Sequence, residues 1–299
     1  MKCRRCENPA AIKLPRHNTA FCDSCFRNYL QKQVMKAISS HRMFDFDQQI
    51  LVAVSGGKDS LVLWDILSKL GYATVGLHLN LGVGDYSNIS QANVERFAAS
   101  RGLKFIVQNY REDYGLGLIE IAKETARPPC SACGTIKRHH FNRIPLEKGF
   151  SVVATGHNLD DEAARLLGNL LNWQRAYLEK QTPVLGDDDG KWARKVKPLY
   201  RLPEREIAAY AVLNRIDYIV EECPMSKGAK TFLYKEMLNR LEEASPGSKL
   251  QFYLGFLKEK ECAFPAKTEV EPNICSSCGQ PCGGEQCGYC RLMQRVAAS

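Results

Sequence analysis

The sequence predicts an α/β fold with a doubly wound, mostly parallel sheet, to which a small metal-binding module is attached at each end of the chain. From Gln49 onward, apolar runs typical of buried parallel strands alternate with segments that have the spacing of amphipathic helices. A glycine-rich loop directly follows the first of these strands. Near both termini, pairs of Cys-x-x-Cys motifs lie in segments with little apolar periodicity.

The core elements follow one another in the order strand, helix, strand, helix. The first strand, Ile50 to Val54, precedes a helix from Leu61 to Leu70. Further strands are predicted at 74–79, 105–107 and 152–154, and further helices at 90–101, 118–125, 135–148, 204–214, 231–243 and 249–260. Such alternation implies crossover connections, which place the strands in parallel. Asp187 to Gly190 is predicted to be a surface turn, and Ala263 to Pro272 a linker.

The composition is that of a soluble globular protein. Of the 299 residues, 44% are hydrophobic and 25% are charged, which is close to the average for such proteins. The apolar runs, such as Ile50 to Val54, are far shorter than the ~20 residues that cross a bilayer. The N-terminus, Met1 to Cys6, lacks the apolar region of a secretory signal. We therefore expect a cytoplasmic protein without a membrane span.

The net charge of +8 has two interpretations. Basic clusters at 137–140, with Arg143, and at 194–197 have the residue types that contact nucleic-acid phosphates. An excess of this size is also found on surfaces that are merely well solvated. The net charge alone does not decide whether the protein binds a polyanion.

Thirteen cysteines is a high and odd number, so they cannot all pair in disulfides. In a reducing compartment, paired Cys-x-x-Cys motifs indicate metal sites or redox chemistry. Two such motifs at each end of the chain have the spacing of a tetrahedral zinc site. Such a module could contact RNA, act as a scaffold between domains, or have a purely structural role. The predicted zinc ligands are Cys3, Cys6, Cys22 and Cys25 in the first module and Cys275, Cys278, Cys287 and Cys290 in the second. Cys282 is a second candidate for the position of Cys278.

The strongest local signal is the loop from Ser55 to Ser60, with the sequence SGGKDS, between a strand and a helix. Its glycines allow a tight turn that brings backbone amides close to an anion, and the N-terminus of the helix adds unpaired N–H donors. Lys58 and the two serines add a positive charge and hydroxyl donors. The loop is therefore predicted to bind phosphate, although its spacing is not that of the Walker motif.

A second loop, Gly156 to Asp161, follows a later strand and should reach the same carboxyl edge of the parallel sheet. Asp160 or Asp161 could hold Mg²⁺ against phosphate oxygens, because this ion prefers carboxylate and phosphate ligands. Alternatively, the two acids only cap the helix that follows.

Three cysteines, Cys130, Cys133 and Cys223, lie within the α/β region. Three thiolates are too few for a closed four-cysteine site, but they suit an iron-sulfur cubane with one open iron. A redox pair of Cys130 and Cys133 that passes on a persulfide, or three inert buried thiols, are the alternatives. Lys137 follows Cys133 by one helical turn, where it either offsets negative charge or is merely solvated.

The joint order of these motifs resembles that of the TtuA-type tRNA 2-thiouridine synthetases, which are PP-loop ATP pyrophosphatases. The resemblance spans essentially the whole chain and implies an adenine nucleotide alpha hydrolase-like core. Cys25 stands where some relatives have a histidine, and it should hold zinc at least as well. The motifs that carry the resemblance are the loops at 55–60 and 156–161, PCSACG at 129–134, Glu222-Cys223-Pro224 and the terminal Cys-x-x-Cys pairs.

Five regions are expected along the chain. They are an N-terminal zinc finger (1–30), a helical connector (31–48), a PP-loop catalytic domain with the iron-sulfur site (49–224), C-terminal helices (225–262), and a linker with the second zinc finger (263–299).

The resemblance implies specific roles, with ATP, Mg²⁺, a [4Fe-4S] cluster and two Zn²⁺ as cofactors. The cluster ligands are Cys130, Cys133 and Cys223, and the catalytic residues are Lys58, Asp59, Lys137 and Asp161. Together with the phosphate loop, the expected nucleotide site comprises Ala53, Ser55, Gly56, Gly57, Lys58, Ser60, Leu79, Lys137, Gly156 and Asp161.

In this interpretation, ATP adenylates O2 of a uracil and pyrophosphate leaves along the phosphate loop. Sulfide on the open iron then attacks C2 and AMP departs, which gives 2-thiouridine or 5-methyl-2-thiouridine in tRNA. The resemblance also implies a ubiquitin-like sulfur carrier with a C-terminal thiocarboxylate, and a homodimer. The cysteine modules favour the T-loop uridine over the wobble uridine.

Two other functions need fewer of these motifs. A PP-loop ligase that joins an amine to an adenylated group requires the phosphate loop but not the three core thiolates. A zinc-finger nucleic-acid binder with a vestigial nucleotide fold would not convert ATP to AMP.

Overall fold

The computed structural model describes residues 1–186, 192–226, 228, 230–265 and 272–297. The predicted turn at Asp187 to Gly190 lies outside the described residues. Most of the predicted linker, from 266 to 271, lies outside them as well.

The chain begins with a small hairpin and a long helix. Strands β1 (Ile12–Leu14) and β2 (Thr19–Phe21) pair antiparallel, with Leu14 opposite Thr19. Helix α1 (Asp23–Ser40) buries Phe26, Leu30 and Val34, which recur every four residues and therefore share one face. This face joins the hairpin to the main hydrophobic core.

The central domain alternates strands and helices as predicted. In chain order its elements are β3 (Ile50–Ala53), α2 (Lys58–Lys69), β4 (Thr74–Asn80), α3 (Gly84–Arg101), β5 (Lys104–Asn109), α4 (Tyr110–Tyr114), α5 (Leu118–Glu124), α6 (Pro129–Glu147), β6 (Val152–Thr155), α7 (Leu159–Leu171), α8 (Arg175–Lys180), β7 (Val184–Leu185), β8 (Arg194–Val196) and α9 (Glu204–Leu213). Helices α10 (Lys230–Ala244) and α11 (Ser248–Ala263) follow, and the chain ends with β9 (Asn273–Ile274), β10 (Pro281–Cys282) and α12 (Gly288–Ala297).

The sheet has the order β5-β4-β3-β6-β8-β7. All neighbouring strands are parallel except β7, which pairs antiparallel with β8. The predicted doubly wound, mostly parallel sheet is therefore confirmed. The strand order reverses between β3 and β6, and the crevice at such a switch point is where α/β folds bind ligands.

Several details differ from the prediction, and two of them concern the central domain. The short strands β7 and β8 were not predicted, because two or three residues carry too little periodicity to be recognised. Helix α6 begins at Pro129 and not at Thr135, so that Cys130 lies in its first turn and Cys133 about one turn further on. Proline is tolerated at the first helical position because its missing N–H would have no partner there.

Helix α2 lies at the centre of the molecule. From Leu61 to Leu67 each of its side chains is buried, because the sheet covers one side and α9 packs on another. Trp64 contacts β4 at Gly76, where a Cβ atom would lie 2.6 Å from the indole ring. Within the described part of the chain, no helix is both long and apolar enough to span a membrane.

Candidate active site

The phosphate loop connects the end of β3 to the first turn of α2. Gly56 has a φ of +78°, and a Cβ atom there would lie 2.5 Å from the carbonyl oxygen of Ser90 on α3. Only glycine fits this position without strain. The hydroxyl of Ser60 accepts a hydrogen bond from the Ser55 N–H at 3.1 Å and donates one to the Gly57 carbonyl at 3.0 Å. The loop is thus held in shape by its own side chains.

The second loop packs directly against the first. A Cβ atom on Gly156 would lie 2.8 Å from the backbone nitrogen of Ser60, so the two loops touch through their main chains. Asn158 caps α7, and it shares a reciprocal capping box with Asp161 in which both hydrogen bonds measure 3.1 Å. The amide group of Asn158 also donates to Asp59 Oδ1 at 3.1 Å. Both loops therefore meet at the switch point of the sheet.

The two neighbouring acids of the second loop have different environments. Asp160 is buried, pairs with Lys249 at 2.6 Å and accepts the backbone N–H of Glu204 at 2.8 Å. The side chain of Asp161 remains 26% exposed and faces Lys235 at 2.6 Å. Asp160 fixes the start of α9, whereas Asp161 is the acid available at the site.

Five charged side chains form an alternating row across the site. Lys58 contacts Asp59 at 3.2 Å and also pairs with Glu204. The second carboxylate oxygen of Glu204 accepts from Lys235 at 3.1 Å, and Lys235 in turn pairs with Asp161. Sequence reasoning missed Glu204 and Lys235, because each lies on a separate helix far along the chain and no motif spacing points to it.

Burial and charge act against each other on the carboxyl groups of this row. Burial raises the pKa of Asp59, and the lowering by Lys58 does not compensate, so the pKa of Asp59 lies above its ordinary value. For Asp161, burial also raises the pKa, but the Lys235 ammonium outweighs it and the net pKa is lowered. Asp161 is thus the more firmly ionised of the two acids and the better partner for a cation.

The three core cysteines come together at the start of α6. Cys130 and Cys133 are one turn apart, and the thiol of Cys130 donates to the carbonyl oxygen of Met225, two residues after Cys223, at 3.1 Å. Burial and then the charges of Cys133 and Cys223 raise the pKa of Cys130. Among the described residues, these three sulfur atoms do not form a group with all distances within 4.8 Å.

This donor set fits a cluster better than a single ion. Ligands of one metal ion must converge on a common centre, whereas thiolates that bind different irons of a cubane lie further apart. None of the three cysteines is in a disulfide. Since Cys130 is exposed and the other two are half-buried, the side chains are accessible to an incoming cluster.

Helix α3 connects the cysteines to the phosphate loop. Its residue Ser90 contacts Gly56, and one turn earlier lies Tyr86, whose pKa is raised by burial and then by the charges of Cys223 and Cys133. On the other side, the N–H of Ile219 donates to the Gly56 carbonyl at 3.0 Å, four residues before Cys223. The thiols therefore lie beside the phosphate loop.

The remaining predicted nucleotide residues lie at the same edge of the sheet. Ala53 ends β3, Leu79 lies near the end of β4, and both are half-buried. The charge of Lys137 lowers the pKa of Cys130 and, after burial, that of His78 on β4. The charge of Lys137 therefore acts both on a core cysteine and on the strand that carries Leu79.

The terminal modules bring their cysteines together in groups of four. Within each group the sulfur atoms all lie within 4.8 Å of one another, as the ligands of one zinc ion must. The first group consists of Cys3, Cys6, Cys22 and Cys25, and the second of Cys275, Cys278, Cys287 and Cys290. Cys282 is outside the second group, and its thiol donates to the carbonyl of Gly284 at 2.9 Å.

The C-terminal module is anchored on the helix that carries the core cysteines. Tyr289 of α12 stacks on His139 of α6, with the ring centroids 3.9 Å apart. The hydroxyl of Tyr289 accepts a hydrogen bond from Tyr110 at 2.8 Å. His140 is fully buried beside them, and neither of its ring nitrogens has a hydrogen-bond partner among the residues that the structure describes.

Comparison with known families matches the chain from residue 2 to residue 230. Residues 26–230 match the family described as PP-loop domain. Residues 2–27 match the family described as 2-thiouridine synthetase TtuA, N-terminal LIM domain. The two matches are contiguous and include the phosphate loop, the three core cysteines and the first cysteine module.

Individual relatives are similar over nearly the whole chain. The tRNA-5-methyluridine(54) 2-sulfurtransferase of Thermus thermophilus is 47% identical, over 99% of this chain and 92% of its own. The protein of the same name from Pyrococcus horikoshii is 42% identical, over 98% and 93%. A solved structure of the U34-tRNA thiolase NcsA from Methanococcus maripaludis, with its [4Fe-4S] cluster, superposes with a TM-score of 0.84 at 26% identity, over 99% of this chain and 96% of that one.

Proposed function

The chain belongs to the TtuA-type tRNA 2-thiouridine synthetases of the PP-loop family, and on that premise we propose that it replaces O2 of 5-methyluridine 54 in the T loop of tRNA by sulfur. The observation that carries this proposal is the position of the three core thiols beside the phosphate loop. Helix α3 contacts the loop through Ser90 at Gly56, and one turn away lies Tyr86, whose pKa is raised by burial and then by the charges of Cys223 and Cys133. An activated base and a bound sulfur atom can meet only in such an arrangement.

Binding of ATP follows from the two loops. The glycines at 56 and 57 leave room for phosphate oxygens next to the first backbone N–H groups of α2, where the helix dipole favours an anion. Lys58 adds a positive charge. Asp59 and Asp161 supply the carboxylates that a phosphate-bound Mg²⁺ requires, with Asp161 kept ionised by Lys235. Ala53 and Leu79 provide the half-buried apolar edge for the nucleoside.

Activation converts O2 of the uracil into a leaving group. O2 attacks the α-phosphorus, the bond to the β-phosphate oxygen breaks, and pyrophosphate departs along the phosphate loop. Lys58 and Lys137 stabilise the charge that develops on the phosphates. A sulfur nucleophile then adds to C2, and the C2–O2 bond breaks to release AMP, which retains the original O2. The reaction is redox-neutral overall.

Cys130, Cys133 and Cys223 would hold the [4Fe-4S] cluster of the family. When bound, the cluster supplies one iron without a protein ligand, at which sulfur can be held. Helix α6 orients two of the three thiols, and its residue Lys137 offsets their negative charge.

The four-cysteine modules would each hold one Zn²⁺. We propose that they contribute to the tRNA surface, that a ubiquitin-like carrier with a C-terminal thiocarboxylate delivers the sulfur, and that the protein is a homodimer. All thirteen cysteines are free of disulfides, and thiolate metal sites persist in a reducing compartment. We therefore assign the protein to the cytoplasm.

The wobble uridine is the second candidate target. It is favoured by the close superposition on an archaeal thiolase named for U34. The higher identity to relatives named for uridine 54 favours the T loop.

Nucleoside mass spectrometry of tRNA tests the proposal. After an anaerobic reaction with ATP and sulfide, we expect 5-methyl-2-thiouridine at position 54, mapped by fragmentation. Cys130→Ala should abolish thiolation and the visible absorption of the cluster but leave Mg·ATP binding unchanged. Cys262→Ala, at an exposed cysteine of α11, is the matched control and should retain both.

The outcomes separate the alternatives. Sulfur found at the wobble position would assign the protein to the second target. Thiolation retained by Cys130→Ala would reject the cluster role. ATP binding without iron or acid-labile sulfide in protein purified anaerobically would indicate a PP-loop ligase.

A further inference from the structure

We propose that Lys235 is a second phosphate-binding cation of the ATP site, and that Glu204 holds Lys58 and Lys235 in position until a phosphate group takes its place. The inference rests on the proposed ATP site. It assigns a role to two residues outside the phosphate loop, and Lys235 lies beyond the part of the chain, 26–230, that matches the PP-loop domain.

Glu204 bridges the two lysines with its two carboxylate oxygens. Oε1 accepts from Lys58 and Oε2 accepts from Lys235 at 3.1 Å. All three side chains are partly accessible, since Lys58 is 19%, Lys235 20% and Glu204 36% exposed. The bridge therefore lies at the mouth of the phosphate loop and not in the sealed interior.

A phosphate group can replace this carboxylate. Both groups present a pair of negative oxygens at similar spacing, and an ammonium group binds either one as a compact charge. Since Lys58 belongs to the phosphate loop itself, a phosphate that reaches Lys58 arrives at the anion position now taken by Glu204. At that position the second oxygen of the phosphate faces Lys235.

The backbone of Glu204 is fixed independently of the lysines. Its N–H donates to Asp160 at 2.8 Å, and Asp160 is held by a buried ion pair with Lys249. Lys249 also donates to Asn239 of α10 at 2.7 Å, which ties α10 to the same pair. The side chain of Glu204 can therefore turn away while α9 and Lys235 stay in place.

The charges of the row show why the Glu204 carboxylate must leave the two lysines when a phosphate binds. Two ammonium groups face the three carboxylates of Asp59, Asp161 and Glu204, so the row already has one negative charge in excess. A polyphosphate added to this row would be repelled as long as Glu204 occupies both lysines. When Glu204 turns away from the lysines, it frees a hydrogen-bonding position on each ammonium group for a phosphate oxygen, and the charges that remain in the row, Lys58 and Lys235 against Asp59 and Asp161, balance.

Calorimetry of Mg·ATP binding to the full-length protein tests the inference, because changes at Lys235 and at Glu204 should shift the affinity in opposite directions. Lys235→Met should weaken binding about tenfold, the range expected for loss of a charge-assisted hydrogen bond. Lys235→Arg should restore most of it. Glu204→Gln keeps the shape of the side chain but removes the competing charge, and it should tighten binding several-fold. Arg240→Gln is the control, because Arg240 is exposed and lies on α10 like Lys235; this change should leave Mg·ATP binding unaltered.

A purely structural bridge gives the opposite result for Glu204. If the bridge only held α9 to α10, Glu204→Gln would weaken Mg·ATP binding together with Lys235→Met, and the inference would be overturned. Unchanged binding by Lys235→Met would overturn it as well. Absence of ATP binding by the unmodified protein would refute the proposed function instead. Thermal unfolding of each variant shows that it is folded.

Discussion

The contact between the two loops at Gly156 should be indispensable for nucleotide binding. In a Gly156→Ala variant, the added Cβ atom would lie 2.8 Å from Ser60 N, 2.9 Å from the Asp59 carbonyl carbon and 3.0 Å from Ser60 Cα. All three atoms belong to the backbone of the first turn of α2, so no flexible side chain can move aside. The φ angle of Gly156 is not positive, and the effect is therefore steric only.

The expected cost is that of overpacking a tightly packed contact, about 1–3 kcal/mol in the free energy of unfolding. Helix α2 cannot shift away from position 156, because its side chains from Leu61 to Leu67 are all buried. The strain must instead separate the loops, which breaks the hydrogen bond from Asn158 to Asp59. We expect the loss in the free energy of Mg·ATP binding to exceed the loss in the free energy of unfolding.

Urea denaturation and calorimetry with Mg·ATP measure the two effects. The matched control is Gly255→Ala, at an exposed position within α11 where the new Cβ atom would meet nothing within 4 Å. This control should gain about 0.5–1 kcal/mol, because alanine favours a helix interior over glycine. Wild-type stability and ATP affinity in Gly156→Ala would refute the reasoning.

Three further predictions concern the modules and the core. Arg16→Met should lower the free energy of unfolding by about 3–5 kcal/mol in urea denaturation, because it leaves Glu206 buried without a partner. Burial lowers the pKa of His139 to about 4 and of His140 to about 3. As the pH falls below 6.5, the histidines of the unfolded chain take up protons, whereas those of the folded chain do not. The free energy of unfolding should therefore decline between pH 6.5 and 4, by up to about 2 kcal/mol per histidine at pH 5. His140→Phe should show a shallower decline. Cys290→Ala should reduce the zinc content measured by elemental analysis by about one ion per chain.

Arg16 also shows how the N-terminal module reaches the active site. Its guanidinium is buried between the hydroxyl of Tyr29, the carbonyl of Arg201 and the carboxylate of Glu206. Glu206 lies on α9 two residues after Glu204. The first module therefore docks on the helix whose N-terminus contributes to the row of charges.

The sequence by itself determined the features that depend on short-range spacing. Strand, turn and helix of the phosphate loop are adjacent in the chain, and the periods of 2 and 3.6 residues are imposed by backbone geometry. The four Cys-x-x-Cys pairs are likewise local. For these features, the residues that define the pattern are the ones that make the contacts.

Only the tertiary structure decided which distant residues meet. It placed Cys278 rather than Cys282 in the second four-cysteine group, and it buried Asp160 while leaving Asp161 at the site. It brought Glu204 and Lys235 to the phosphate loop from helices about 145 and 175 positions further along the chain. Such encounters are set by strand order and by the packing of α9 and α10, and no period or spacing in the chain encodes them.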